Sequence, residues 1–271
     1  YNLAATGNSN YGWFGGGMIY PSIFYSTVDR IDFSNDSVTA LVKGPLFSTK
    51  IYSGATGNSN YGWFGGGYPT IYPGVQVSRV DRIDFSNDSA RASVRGPLPS
   101  INGQLAATGN FNYGWFAGNG AVDRIDFSND LVTASPRGSL SLARSGLAAT
   151  GNSNYGWFGG GSAGPGPLST VDRIDFSNDS STSPIRGPLS LARDNSAATG
   201  NSNYGWFGGG TYYPYGGGPI PFTSSVDRID FSNDASTASP RGPLSSVRSG
   251  SAATGNSNYG WFGGGNPGPL S

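Results

Sequence analysis

The aspartates of this chain are its first candidates for chemistry, because all sixteen acidic residues are of this type. Two carboxylates held close together could act as the catalytic pair of a glycosidase. The phrase that carries most of them, VDRIDFSND, occurs five times, beginning at Val28, Val80, Val122, Val171 and Val226. On a strand, Arg30 and Asp32 would share one face and Asp29 would point to the other. A catalytic pair should be unique, whereas these acids recur, so we favour structural ion pairs between repeats, which would compensate buried charges.

The end of the same phrase, DFSND, spaces oxygen side chains like the start of a calcium loop. Calcium takes six to eight oxygen ligands, and an EF-hand loop also needs a glycine that this phrase lacks. The other interpretation is a β-turn in which Asp and Asn side chains accept hydrogen bonds from backbone amides. We favour the turn, and the sequence alone leaves calcium binding open.

Histidine and cysteine are both absent from the sequence. Their absence excludes Ser-His-Asp and Cys-His nucleophiles, and zinc sites built on thiolate or imidazole. Sixteen positive charges balance sixteen negative ones, which argues against nucleic-acid binding through counterion release. No apolar run approaches the roughly 20 residues that a membrane-spanning helix needs. We therefore predict no catalytic residue, no metal site, no cofactor, no nucleic-acid partner and no membrane span.

Internal repeats in the sequence predict the strands and turns that position the aspartates. The string NYGWF occurs six times and contains every tryptophan of the chain, namely Trp13, Trp63, Trp115, Trp157, Trp206 and Trp261. Successive tryptophans lie 42 to 55 residues apart. Repeats of about this length are typical of solenoids, propellers and arrays. We predict a single domain over residues 1–271, with repeats at about 1–50, 51–102, 103–144, 145–193 and 194–248 and a partial repeat at 249–271.

Each repeat predicts four short strands, which in the first copy are residues 3–6, 11–14, 28–33 and 38–42. Runs of this length between Gly, Asn, Asp and Ser turns favour an antiparallel meander. The small residues of the first strand suit a crowded axis. Prolines in the fourth strand, at Pro136, Pro184 and Pro240, suit an outer edge. Four-stranded sheets repeated around a channel form a β-propeller.

The order of these signals resembles the kelch repeat: Gly-Gly after an aromatic strand, a variable loop, a Val-x-x-x-Asp strand, then Pro-Leu-Ser-x-x-Arg before a small-residue strand. The resemblance covers essentially the whole chain. It departs from the family pattern because the usual tryptophan near the fourth strand is missing. The phrases DRIDFSND and RGPLS also resemble kelch-like repeats in structural proteins of marine bacteriophages, which implies a virion or extracellular location.

The chain holds six copies of the first two strands but five of the last two. We therefore predict an all-β, six-bladed kelch-like β-propeller whose last blade is reduced to an inner hairpin over residues 251–265. The second strand of that hairpin, with Tyr259, Gly260, Trp261 and Phe262, would be an open edge. We expect another chain, or further sequence of a longer array from which this chain is an excerpt, to cover it by strand addition.

The loops between the second and third strands vary, whereas the strands are nearly copied. They span residues 18–27, 68–79, 119–121, 162–170 and 211–225. Variable loops on a repeated scaffold can form a recognition surface, to which Tyr supplies contact area at low entropic cost. The candidate binding residues are Tyr20, Phe24, Tyr25, Tyr68, Tyr72, Tyr212, Tyr213, Tyr215 and Phe222. The alternative is that these residues pack on each other or on neighbouring copies.

These observations favour a non-catalytic structural or attachment module of a phage particle. Its partners would be virion neighbours or copies of itself, with a host-surface glycan or protein as the ligand of the loops. Two other functions stay open: a glycan-acting hydrolase that uses aspartates, and a fibrous or open-solenoid assembly protein.

Overall fold

Each complete repeat folds into an antiparallel meander of four strands, as the alternation of short strands and polar turns predicts. The computed structural model describes residues 1–70, 75–100, 103–164, 166–213 and 221–267. The pairing register is the same in every complete repeat. The threonine of the first strand faces the tryptophan of the second, which faces the arginine of the third, as in Thr6, Trp13 and Arg30.

The strands of the five complete repeats have the following bounds. The inner strands are Leu3–Gly7, Gly54–Gly57, Ala106–Gly109, Ser145–Gly151 and Ala197–Gly200. The second strands are Tyr11–Gly16, Tyr61–Gly65, Tyr113–Gly118, Tyr155–Ala163 and Tyr204–Gly208. The third strands are Val28–Asp32, Val80–Asp84, Ala121–Asp126, Val171–Asp175 and Val226–Asp230. The outer strands are Leu41–Lys43, Ser93–Arg95, Ser135–Pro136, Ile185–Arg186 and Ser239–Arg241.

The predicted count of six blades is wrong, because the structure has five. Within the described residues, the sixth repeat forms a two-stranded sheet of Arg248–Gly255 and Gly260–Pro267. This sheet contains the hairpin predicted over residues 251–265. The outer position of the proline-containing strands is confirmed, since Pro136 and Pro240 both lie in outer strands.

The inner strands form a closed ring, and the two-stranded sheet completes it. The backbone N–H of Asn2 donates to the Gly250 carbonyl oxygen at 2.7 Å. On the same contact, a Cβ on Gly12 would lie 2.5 Å from Cγ2 of Thr254, so only glycine permits this approach. The equivalent pair, Thr6 and Gly62, joins the first two blades in the same way. The repeats therefore do not stack linearly.

The apolar core lies between neighbouring blades. Trp13, Trp63, Trp115 and Trp157 are each 0% exposed. Each of these indoles stacks on a phenylalanine of the next blade at a centroid distance of 3.8 Å, as Trp13 does on Phe85. Ring closure, four-stranded sheets and cores between sheets together define a β-propeller. In the described part of the chain, no helix is long and apolar enough to cross a membrane.

Candidate functional site

One face of the ring collects the variable loops and the linkers between repeats. Ile51, in a linker, exchanges two backbone hydrogen bonds of 2.9 Å with Tyr68, in a variable loop. Asp194 and Thr211 form an equivalent pair near the fifth blade. We call this side of the molecule the loop face. The linkers hold the bases of the loops, so insertions beyond these points leave the strands undisturbed.

The predicted loop residues differ in exposure. Tyr20 is 75% exposed and Tyr213 is 50% exposed. The half-buried members of the set are Phe24, Tyr25, Tyr68, Tyr212 and Phe222. Tyr72 and Tyr215 lie outside the residues that the structure describes. Among the described candidates, Tyr20 and Tyr213 are therefore the rings best placed to contact a partner.

Tyr68 illustrates the packing role of a half-buried member. Its hydroxyl accepts a 2.6 Å hydrogen bond from Nε2 of Gln76 in the same loop. Its ring meets that of Tyr52 edge-on at 6.2 Å. Tyr68 therefore packs against neighbouring residues of the loop face.

A ring of left-handed residues surrounds the axis on the loop face, and sequence reasoning missed it. Its members occupy the same place in all six repeats: Asn2, Tyr52, Gln104, Gly146, Asn195 and Gly250, with φ between 51° and 68°. Backbone hydrogen bonds link neighbours, for example from the Gly250 N–H to the Asn195 carbonyl oxygen at 2.9 Å. Asn and Gly tolerate this conformation best and fill four of the six places. Aligning the residues that lie four positions before the threonine of each inner strand would have shown this signal.

A cavity of about 90 Å³ opens at this ring. The ring residues line it together with Ser53, Ser196 and Ser251. The hydroxyls of these three serines are buried and have no hydrogen-bond partner within the described residues. Unpaired buried polar groups are costly, so the cavity is suited to water or to a hydroxyl-bearing ligand group.

Ion pairs beneath the loop face join the linkers to the third strands. Lys50 pairs with Asp81 at 3.3 Å, and both side chains are fully buried. Burial lowers the pKa of Lys50 to about 8, although Asp81 opposes the shift. Arg144 pairs with Asp172 at 2.6 Å in the same manner. Each pair anchors a linker to a third strand. In these pairs, the acid that recurs in every blade has a structural role.

Asp29 and Asp123 are the exceptions in this set, because neither forms an ion pair within the described residues. Asp123 Oδ1 is also buried without a hydrogen-bond partner. Burial raises the pKa of Asp123 to about 6. The sequence has Asn102 at the linker position that is Lys or Arg in the other repeats, and this residue lies outside the described part of the chain.

The last aspartate of the repeated phrase joins neighbouring blades. Asp88 accepts hydrogen bonds of 3.0 Å from both Trp13 Nε1 and Arg30 Nη1, and Lys43 Nζ lies 3.3 Å from it. The predicted ion pairs between repeats are therefore present. We predicted that Arg30 pairs with the acids that flank it, Asp29 and Asp32, whereas its partner is Asp88 of the next blade.

The turn at the end of the phrase is an Asx turn, as we favoured. Asp32 Oδ1 accepts hydrogen bonds from Ser34 N at 2.9 Å and Ser34 Oγ at 2.7 Å. These hydrogen bonds lower the pKa of Asp32. Within the described residues, no group of three or more metal-ligating acids forms.

The predicted open edge is only partly as expected. Tyr259 and Gly260 are exposed, but Trp261 and Phe262 are half-buried. Trp261 donates a 2.7 Å hydrogen bond to Asp36 and stacks on Phe33 at 3.9 Å, so it faces the first blade. Within the described residues, Trp206 has neither a stacked phenylalanine nor a carboxylate acceptor in the next sector.

Comparison with known proteins shows the fold alone. No protein-family model matches the sequence, and no curated protein matches it. Among solved structures, that of YjhT is similar to this chain with a TM-score of 0.79 and 12% identity, covering 98% of this chain and 90% of that chain. At this level of identity the similarity supports a β-propeller and says nothing about a ligand or an activity.

Proposed function

We propose that this chain is a non-catalytic attachment module of a virion, built from kelch-like repeats, whose loop face binds a host-surface glycan. The observation that carries the proposal is the location of sequence variation. Strands and opposite-face turns are nearly copied from repeat to repeat, whereas the variable loops and the axial ring differ. A scaffold that is constant except on one face is typical of a recognition module.

The chemistry of the loop face supports a hydroxyl-rich ligand. Tyr20 and Tyr213 offer exposed rings on which sugar faces can pack. Asn2, Gln104 and Asn195 supply amide groups around the axial cavity, where three serine hydroxyls lack partners among the described residues. Aromatic platforms beside convergent polar groups fit a carbohydrate better than an apolar ligand.

The state of the acids supports a non-catalytic role. Asp81, Asp172 and Asp227 are fully buried in ion pairs. Four of the last aspartates of the phrase, Asp88, Asp130, Asp179 and Asp234, are each held by a tryptophan and an arginine of the neighbouring blade. Acids held in this way have no free position beside a substrate bond, as a glycosidase requires.

A virion setting rests on the resemblance of DRIDFSND and RGPLS to phage structural repeats. In that setting, neighbouring virion proteins would contact the outer strands or the opposite face and leave the loop face free. On the same resemblance, we propose a virion or extracellular location.

Binding to a printed array of bacterial surface oligosaccharides tests the proposal. The wild-type protein should bind a defined subset of glycans, and the double variant Tyr20→Ser, Tyr213→Ser should lose that binding while it keeps its melting temperature. Phe111→Ser is a matched control, because Phe111 is 69% exposed in a turn on the opposite face. Equal loss in the control, or sugar release from the array, would contradict the proposal.

A further inference from the structure

A buried positive charge recurs where a linker meets the third strand of the next blade. In the second, fourth and fifth blades it is paired with the first aspartate of the repeated phrase. Both side chains of each pair are 0% exposed, and the pairs are Lys50–Asp81, Arg144–Asp172 and Arg193–Asp227. The fold therefore provides a fixed position for a cation at this point of a blade.

Backbone oxygens complete this position in the second blade. Lys50 Nζ donates hydrogen bonds to the carbonyl oxygens of Phe64, at 2.9 Å, and of Arg79, at 3.1 Å. It also lies 3.3 Å from Asp81 Oδ2. The ammonium group is thus held by three oxygens, of which one belongs to a carboxylate.

The arginines of the other blades use the same backbone oxygens. Arg144 Nη2 donates at 3.1 Å to the carbonyl oxygen of Phe158, the phenylalanine of the second strand. Arg193 Nη1 donates at 2.9 Å to the carbonyl oxygen of Ser225, the residue directly before the third strand. Because a lysine and two arginines bind alike, the position is set by the backbone and the aspartate.

The third blade has the same backbone and the same acid. Phe116 pairs with Asp123 in the register in which Phe64 pairs with Asp81. Asp123 is 3% exposed, and the backbone N–H of Ser100 donates a hydrogen bond to its carboxylate. The oxygens that hold a cation in the second blade therefore have counterparts here.

The sequence provides no cationic side chain for this position. The linker that leads into the third blade, residues 97–104, reads PLPSINGQ and contains neither Lys nor Arg. Asp123 Oδ1 is buried without a hydrogen-bond partner, and Asp123 forms no ion pair within the described residues. A buried carboxylate without a counter-charge is unfavourable at neutral pH. The blades on both sides are complete, so this difference lies inside the ring.

We propose that a potassium ion binds at this point of the third blade and takes the place of the lysine or arginine head group. Its ligands are the Asp123 carboxylate and the backbone carbonyl oxygens of Phe116 and Ala121. Ala121 directly precedes Val122, as Arg79 precedes the valine of the second blade. The ion compensates the buried charge and joins the second and third strands at the loop face.

The chemistry of the position favours potassium over a divalent ion. One carboxylate balances a single positive charge, and the described residues contain no group of three metal-ligating acids. The oxygens around Lys50 Nζ lie at 2.9–3.3 Å, farther than the distance of about 2.3–2.6 Å at which proteins bind calcium. Potassium accepts backbone carbonyl oxygens in place of its hydration shell.

Thermal unfolding in potassium chloride and in tetramethylammonium chloride of equal ionic strength tests the proposal. At about pH 7.5, the melting temperature should rise with potassium concentration and level off after a total of about 3–5 °C. Ammonium should act like potassium, and lithium should have little effect. Crystals soaked in thallous acetate, in which thallium replaces potassium, should show an anomalous scattering peak beside Asp123.

Two variants should remove the potassium dependence for opposite reasons. Asp123→Asn lacks the charge that the ion compensates, whereas Asn102→Lys supplies a head group of its own. Each should melt at the same temperature in both salts, and Asn102→Lys should melt above the wild type in tetramethylammonium chloride. Asp36→Asn is the matched control, because Asp36 is an exposed acid away from this position, and it should keep the full potassium dependence.

Three results would overturn the proposal. Equal melting temperatures of the wild type in the two salts would show that a proton, and no ion, compensates Asp123. Potassium dependence that persists in Asp123→Asn would place the ion elsewhere, as would a thallium peak away from Asp123. None of these results depends on the glycan-binding function.

Discussion

The indole Nε1 of Trp157 donates a 2.9 Å hydrogen bond to Oδ2 of Asp234, which lies 77 residues further along the chain. The same carboxylate oxygen lies 3.0 Å from Arg173 Nη1. One acid therefore fixes a neutral donor and a cation of the neighbouring blade. Trp13, Trp63 and Trp115 make the same contact, which aligns each of the first four blades with the next.

Replacing Asp234 should lower the free energy of unfolding much more than replacing Asp36. Asp234→Ala leaves a buried indole N–H and two arginines without their acceptor, and should lower the free energy of unfolding by about 3 kcal/mol. Asp36→Ala is the control, because Asp36 receives only the exposed Trp261 hydrogen bond, and should cost less than about 1 kcal/mol. Urea unfolding at neutral pH measures both, and equal losses would contradict this assignment.

Truncating Trp157 should destabilise the protein more than truncating Trp206, because the two rings are buried to different extents. Trp157→Ala removes a fully buried ring and should cost about 3–5 kcal/mol. Trp206→Ala removes a half-exposed ring without an aromatic partner in the next sector, and should cost about 1–2 kcal/mol. The two variants are compared by the midpoint of chemical unfolding. A larger loss at Trp206 would contradict the assignment of Trp206 as the less buried of the two rings.

Asp123 should make stability depend on pH. Its folded pKa of about 6 lies above the ordinary value of 3.8, so the folded state binds the proton more tightly than the unfolded state. The stability that this proton confers is present below about pH 4 and is lost as the pH rises through 6. Asp123→Asn should therefore stabilise the protein at pH 7, by on the order of 2 kcal/mol, and have little effect at pH 4.

Asp172→Asn is the matched control for that experiment. It removes the charge that pairs with the fully buried Arg144, and should destabilise the protein at pH 7 by about 3 kcal/mol. Thermal unfolding at a series of pH values measures both variants. A stabilising effect of both substitutions would show that neither acid depends on a buried cation.

Local signals in the sequence were sufficient for the strand meander. The Asn119-Gly120 dipeptide predicted a tight hairpin, and Gly118 pairs directly with Ala121 across it. Proline predicted the outer strands because it cannot donate a ladder hydrogen bond, and Pro136 lies in one. These features depend on residues that are close in sequence.

Features that depend on ring closure could not be predicted so well. The acid that binds Arg30 belongs to the next repeat, and its choice depends on the stagger between blades. Trp261 contacts the first blade through Asp36, whereas Trp206 has no such acceptor within the described residues. The direction of these contacts depends on ring closure, which the repeats do not encode locally. The blade count was wrong because a two-stranded sheet can close the ring without forming a blade.

The most direct test of the account is a side-chain-resolution cryo-electron microscopy reconstruction of the protein bound to the glycan that it selects from the array. The account predicts sugar density against Tyr20 or Tyr213 and at the axial cavity beside Ser196. Density confined to the opposite face near Phe111, or to the outer strands, would contradict it.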